Sequence, residues 1–168
     1  SFTGSDNDAT VGLHQAYFTL KNFANTGVNA KVGRQQIVLD GHRLYGHTGW
    51  TSGAQTHDGL TLTHAHTNMK ATYGYILATE TARANTLAGA VENDVSSHFL
   101  HTNFQGVLGG ALSTIVNLNV DDCGKIAAAC GHPSNWWTIG GRQAGKMFGL
   151  DYRAEAYWQV GGAGGAAS

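Results

Sequence analysis

The sequence predicts an all-β protein, an antiparallel up-and-down transmembrane β-barrel with about eight strands. Three observations support this fold class: apolar and polar residues alternate over long segments, the connections between those segments are short and long in turn, and the composition suits turns. The chain has 24 glycines, one proline and only 12% charged residues. A tilted transmembrane strand needs about 9–11 residues, whereas strands of globular proteins usually have about 5–6. The segments have about ten residues, which favours a membrane barrel.

The clearest strand is the run from Leu150 to Val160, in which every second residue is apolar. The run from Trp137 to Met147 alternates in the same way, and only Phe148 and Gly149 separate the two, so they form a tight hairpin. Aromatic residues lie near both ends of this hairpin, as the two interfacial girdles of a membrane barrel require. The predicted outward residues of the last strand are Leu150, Tyr152, Ala154, Ala156, Trp158 and Val160, and the inward ones are Asp151, Arg153, Glu155, Tyr157 and Gln159.

Six further segments alternate less regularly. In the first, the facing stays open, because Ala16, Phe18 and Leu20 indicate one outer face, whereas Val11 and Leu13 indicate the other. In the second, Arg34 falls on the apolar side, and a β-bulge near Gly33 is expected to turn it inward. The six predicted strands are 10–21, 28–38, 56–65, 69–77, 97–106 and 112–120.

The connections divide into short turns and long loops that alternate along the chain. Short turns on one rim and long loops on the other are the plan of outer-membrane barrels. A soluble up-and-down barrel shares this alternation. Within the second long loop, residues 80–93 have a composition compatible with a short helix. The predicted short turns are 22–27, 66–68, 107–110 and 148–149, and the long loops are 39–54, 79–96 and 121–135.

Composition and motifs exclude several function classes. A formal net charge of −1 without a Lys/Arg cluster argues against nucleic-acid binding. The sequence has neither a nucleophile elbow nor a phosphate-binding glycine loop, so we expect no enzyme activity and no cofactor. His64 and His66 are the closest histidine pair, but they share a strand face with Leu60 and Leu62 near a turn, and we expect no metal site there.

Several short motifs resemble, in order, the alginate-export family of bacterial outer-membrane proteins. They are Leu13–Tyr17, Val32–Gln35, His57–Leu62, Thr138–Arg142 and Leu150–Gly161. The resemblance implies a channel in the bacterial outer membrane whose charged lumen passes an anionic polysaccharide such as alginate. It also implies contact with membrane lipid and lipopolysaccharide. Residues 1–168 would then form a single β-barrel domain or a fragment of a larger barrel, and the oligomeric state stays open.

The candidate functional residues are the charged residues at the inward-facing positions of the predicted strands. If the strands close around water, these side chains determine ion selectivity and guide anionic solutes, as in a porin-like channel. The alternative is a soluble β-barrel or sandwich that binds a small ligand or a sugar, with the same residues facing solvent; a requirement for detergent separates the two. The predicted pore-lining residues are Lys31, Arg34, Lys70, Arg142, Lys146, Asp151, Arg153 and Glu155.

The two cysteines, Cys123 and Cys130, lie seven positions apart in one predicted external loop of a chain without other cysteines. In an oxidising compartment such a pair forms a local disulfide. We therefore predict a Cys123–Cys130 disulfide. Mass spectrometry after alkylation without reductant is expected to show neither thiol modified, and alkylation of both would contradict the pairing.

Overall fold

One antiparallel sheet contains all eight strands, in the order of the sequence. The computed structural model describes residues 13–47, 55–80, 94–121 and 134–163, and no helix occurs within these ranges. The predicted all-β meander with short turns at one end of the sheet is therefore confirmed. The strands are β1 (Ala16–Phe23), β2 (Val28–Gln35), β3 (His57–His66), β4 (Met69–Glu80), β5 (Asp94–Val107), β6 (Gly110–Asp121), β7 (Ser134–Met147) and β8 (Leu150–Ala163).

Some predicted strand ends are wrong. β1 begins at Ala16 rather than Thr10, and β2 ends at Gln35 rather than Val38, because the chain leaves the sheet there. β4 and β5 extend into the second predicted long loop, since backbone pairing resumes after a register shift and continues to Glu80 opposite Asp94. Glu80 is thus in a strand, not a helix, and residues 81–93 lie outside the described ranges.

Two of the short turns have the geometry that a tight hairpin requires. Leu108 and Gly109 have φ values of 49° and 72°, and Phe148 and Gly149 have values of 53° and 79°. Two consecutive residues with positive φ are typical of type I′ turns, whose twist matches that of the flanking strands. The predicted Phe148-Gly149 hairpin is confirmed, with Met147 opposite Leu150.

Successive hairpins are staggered by a constant step. The last pair of the β3–β4 hairpin contains Met69, and cross-strand pairing places Met69 level with Leu112 on β6. The β5–β6 hairpin continues two residues farther than this level, to Gly110. The β7–β8 hairpin extends another two residues, from Gly145 to Met147. Each hairpin thus advances by two residues along the strand, about 6.7 Å, for every two strand spacings across the sheet, about 9.6 Å. If all the turns lie in one plane, the ratio of these two lengths requires the strands to tilt by about 35° from the normal of that plane. Strands of β-barrels tilt by about 35–45°.

The two faces of the sheet differ in character, as the alternation predicts. We call inner the face that carries the buried side chains of Thr72, Ile76, Phe99, Ile115 and Asn117. The outer face is apolar and exposed, and cross-strand pairing places six of its side chains in one row from β1 to β8. These six are Leu20, Tyr73, Leu100, Val116, Ile139 and Trp158, with exposed fractions between 36% and 65%.

The core lies between the inner face and residues 36–47, which we call the inner loop. Ile37 and Tyr45 of this loop pack with Ile76, Phe99 and Ile115. The prediction that residues 39–54 form an unpaired loop is confirmed for residues 39–47, but these residues cover the sheet rather than extend away from its rim.

The inner loop also reaches across the sheet. It leaves β2 at Gln35, and the Arg43 Nε lies 2.9 Å from the Glu155 Oε2 on β8. The Leu39 amide donates to the Tyr45 carbonyl, which closes residues 39–45 into a compact turn. The inner loop thus runs over the inner face from β2 toward β8.

Two glycines of the inner face make room for aromatic rings on the neighbouring strand. Gly74 pairs with Phe99, and Gly140 pairs with Tyr157. A Cβ atom on Gly74 would lie 2.1 Å from the Phe99 ring, and one on Gly140 would lie 2.2 Å from the Tyr157 ring. The rings thus lie flat against bare backbone, where they form the floor beneath the inner loop.

We predict that Gly74→Ala lowers the free energy of unfolding by about 1–3 kcal/mol, the usual cost of overpacking a well-packed core. The measurement is urea denaturation of the folded protein. Combining Gly74→Ala with Phe99→Leu is expected to cost less than the sum of the two single substitutions, because the smaller side chain leaves space for the methyl group. If the costs of the two substitutions are additive, the lack of a side chain at Gly74 is not what accommodates the Phe99 ring.

Candidate functional site: the inner face

The charged side chains of the inner face are concentrated in the half nearer the short turns. Pairing across β4 to β8 places Lys70, Asn103, Ser113, Arg142 and Glu155 in one row. Closer to the turns, Arg153 lies opposite Ala144 and Lys146 lies opposite Asp151. The half nearer the long connections has a different chemistry, with Ser97, Asn117, Asn119, Thr138 and Gln159 at its inner positions.

Glu155 is the centre of the charged half. The Arg142 Nε lies 3.1 Å from its Oε1, the Arg43 Nε 2.9 Å from its Oε2, and the Arg153 Nε 3.7 Å from its Oε1. The Glu155 side chain is only 14% exposed, whereas those of Arg43 and Arg153 are 67% and 64% exposed. One shielded carboxylate thus holds three guanidinium groups, and the cluster presents excess positive charge to the space above it.

A broad recess lies beside this cluster, toward the short turns. Its volume is about 620 Å³, and its wall includes Arg142, Lys146, Asp151 and Arg153. The Lys146 Nζ lies 3.5 Å from the Asp151 Oδ1, and both side chains are more than 70% exposed. Such exposed pairs contribute little to stability, so these charges remain accessible from the recess.

Besides the Arg43–Glu155 contact, side-chain hydrogen bonds attach the inner loop to the sheet at two further places. Asp40 accepts a hydrogen bond from the Ser113 hydroxyl at 2.6 Å, and its other oxygen lies 2.9 Å from the His101 Nε2. The Tyr45 hydroxyl donates to the Asn117 Oδ1 at 2.7 Å and lies 2.8 Å from the Ser97 hydroxyl. Burial raises the pKa of Tyr45, so its hydroxyl remains protonated and keeps its donor proton. The loop is therefore held in place over the inner face.

The comparison with known families agrees with this geometry. The sequence model of the alginate export family matches residues 3–168. The chain belongs to the alginate-export family. The search of curated proteins and that of solved structures found no match.

Membership of the alginate-export family supports a role in polysaccharide export, and members of this family are typically membrane proteins. No helix in the described residues is long and apolar enough to cross a membrane. In the same part of the chain, no group of three or more His, Cys, Asp or Glu side chains is placed to hold a metal ion.

The structure places most of the predicted charged residues on one face. Arg142, Lys146, Asp151, Arg153 and Glu155 come together in the charged half. Lys70 lies on the same face, and the Lys31 Nζ lies 3.6 Å from the centre of the Tyr17 ring. Cys123 and Cys130 lie outside the described residues, so their disulfide stays a prediction.

Arg34 is on the other face. The expected bulge at Gly33 is absent, since β2 and β3 pair without a register shift and Arg34 lies directly opposite Asp58. The Arg34 Nε lies 3.0 Å from the Asp58 Oδ1, and this ion pair satisfies both charges on the side of Val32 and Leu60. The structure also resolves the facing of β1, because Phe18 and Leu20 pair with Val32 and Ala30 on the outer face.

Sequence reasoning missed the residues that the inner loop supplies. Asp40, Arg43 and Tyr45 lie in a glycine-rich stretch without periodicity, and nothing local indicates which strands they reach. The sequence contains one weak indication that this loop packs on the sheet. An acidic residue, an arginine and a tyrosine within six residues can form more side-chain contacts than a solvent-exposed turn usually forms. His101 and Ser113 have the correct inward parity, but their partner lies more than 60 residues away.

We predict that Tyr45→Phe loosens the inner loop without disturbing the ring contact with Phe99. Trypsin cleavage after Arg43 is expected to become about tenfold faster, because the loss of two buried hydrogen bonds costs on the order of 1.4 kcal/mol or more. Mass analysis of the fragments gives the rate.

Tyr152→Phe is the matched control, because the Tyr152 hydroxyl bonds the Leu108 carbonyl in another part of the sheet. Cleavage after Arg43 should stay at the wild-type rate in this variant. Equal rates in both variants would contradict the anchoring role of Tyr45.

Proposed function

We propose that this chain forms part of the wall of an outer-membrane channel that exports an anionic polysaccharide, with the inner face as the solute pathway. The observation that carries the proposal is the group of three arginines around Glu155 on the inner face. Family membership supplies the class of transported molecule, and the arginines supply a reason why an anionic polymer would enter. Alginate is the candidate substrate that follows from the family.

Charge balance on the inner face favours anions. Among the strand side chains described there, the basic residues are Lys31, Lys70, Arg142, Lys146 and Arg153, and the acidic ones are Asp151 and Glu155. Guanidinium groups bind carboxylates through planar paired hydrogen bonds, so they suit a polymer that carries a carboxylate on each sugar. A row of exchangeable contacts at successive heights allows such a polymer to move stepwise, since each contact is weak enough to break.

The inner loop narrows this pathway at its middle. It is bonded to β5 and β6 through Asp40 and Tyr45 and brings Arg43 to Glu155. An arginine on a loop that projects over the inner face lies nearer the passing solute than one on the wall. We therefore assign Arg43 to the narrowest part of the pathway, together with Arg142 and Arg153.

The outer face supports placement in a membrane. The exposed apolar row from Leu20 to Trp158 crosses the whole sheet, and soluble monomers rarely expose continuous apolar surface of this extent. Lipid tails, and lipopolysaccharide in the outer leaflet, are the partners that we propose for it. A soluble sugar-binding barrel would leave this row in water, so stability without detergent would favour that alternative.

We predict that Arg43→Gln combined with Arg153→Gln lowers the anion-to-cation permeability ratio of the channel, on the order of threefold, when measured in planar bilayers. Both side chains are exposed, and the Arg142–Glu155 pair remains intact. The difference should disappear in about 1 M salt, where charges are screened within about 3 Å.

Arg34→Gln provides the control, because it removes an arginine from the outer face and should leave the ratio unchanged. If the channel conducts and both changes alter selectivity equally, or neither does, the inner face is not the solute pathway.

A further inference from the structure

A second cavity lies under the inner loop, in the half of the inner face away from the arginines. Its volume is about 290 Å³. Tyr45 and Leu44 of the inner loop form one side, and the sheet forms the other. Besides Tyr45, the polar side chains in its wall are those of Gln55, His57, Ser97, Asn117, Asn119, Thr138 and Gln159.

Among the described residues that line this cavity, none carries a carboxylate, ammonium or guanidinium group. Its hydroxyl and carboxamide groups each offer a donor and an acceptor, which is also what a sugar hydroxyl offers. A charged ligand would lose its hydration there without gaining a counter-charge, which is unfavourable. Ligand cavities in proteins have volumes of about 300–1,000 Å³, so this one is at the small end and suits a single sugar ring.

One buried polar atom of this wall is without a partner. Among the described residues, the His57 Nε2 is buried and makes no hydrogen bond. Asn119 is partly exposed and Gln159 is exposed, so their carboxamides are accessible, whereas Asn117 and Ser97 are engaged with Tyr45. Buried polar atoms in native proteins almost always have a partner, so a bound polar group is expected near the His57 ring.

We propose that this cavity binds the uncharged, hydroxyl-bearing part of one sugar residue, as a recognition site separate from the arginine cluster. The proposal rests on the export function proposed above, because the sugar would belong to the transported chain. Thr138 and Arg142 lie four residues apart on β7, which is about 13 Å. One polysaccharide chain therefore reaches both sites, with its ring hydroxyls at one and a carboxylate at the other.

The test uses equilibrium dialysis of the full chain, folded in detergent micelles, against two probes. One is a neutral β-1,4-linked mannose tetramer, and the other is the uronate tetramer with the same linkage. The neutral tetramer is expected to bind, and Asn119→Ala with Gln159→Ala is expected to weaken its binding about tenfold through the loss of two hydrogen-bonding groups. Binding should not change between about 0.05 M and 0.5 M salt, since no charge is involved.

Gln105→Ala is the matched control. It removes a carboxamide on β5 that does not line this cavity, and binding of the neutral tetramer should be unchanged. If the double variant does not fold, as judged by circular dichroism, His57→Phe serves instead, because it removes the unpartnered nitrogen and retains a ring. Absence of neutral binding, or equal binding in wild type and the cavity variants, would overturn the proposal.

Failure of this site and failure of the export function give different results. If the uronate tetramer binds and Arg43→Gln with Arg153→Gln removes that binding, but the neutral tetramer does not bind, the anionic pathway stands and the sugar site is wrong. If the neutral tetramer binds as described but the bilayer measurements show no anion selectivity, the sugar site stands and the proposed export pathway is wrong.

Discussion

Strict alternation of side chains across one uninterrupted series of antiparallel pairs is the constraint on which the rest of this structure depends. Because every strand pairs with its neighbour in the sequence, the parity of one residue determines the face of its partners on all other strands. Arg142 and Glu155 meet for this reason, and so do Gly74 and Phe99. A slip of one residue in any hairpin would bring the apolar outer row to the inner face on every strand beyond it.

The inner face is divided along the strands as well as separated from the outer face. Charged groups gather near the short turns, neutral hydrogen-bonding groups gather near the long connections, and a packed layer with Phe99, Ile115 and Tyr157 lies between them beneath the inner loop. This division fits a solute with two chemical aspects, a carboxylate and a set of hydroxyl groups. It also explains why the loop has two kinds of attachment, since Arg43 reaches the charged half and Tyr45 the neutral half.

The sequence was sufficient for the strand number, the strand order and most of the facing, because period-two patterns report directly on which side of a sheet is apolar. It also predicted the two-residue turn at Phe148 and Gly149, and that turn determines the register in which Arg142 lies opposite Glu155. Arg34 was assigned to the wrong face because a basic residue on an apolar parity suggested a bulge. In the structure, Arg34 remains on the outer face, where Asp58, 24 residues farther along the chain, neutralises its charge. The inner loop was beyond prediction for a similar reason, as its contacts are made with residues distant in sequence.

The constant stagger of the hairpins has a consequence for how such walls change in evolution. Each two-strand unit adds about 9.6 Å to the width of the wall and advances its turn by two residues, whichever hairpin precedes it. Duplication of one such unit would therefore fit between its neighbours without altering their tilt or parity. A larger or smaller circumference is reached in whole hairpins, so pore diameters among proteins built in this way should fall into discrete classes rather than a continuum.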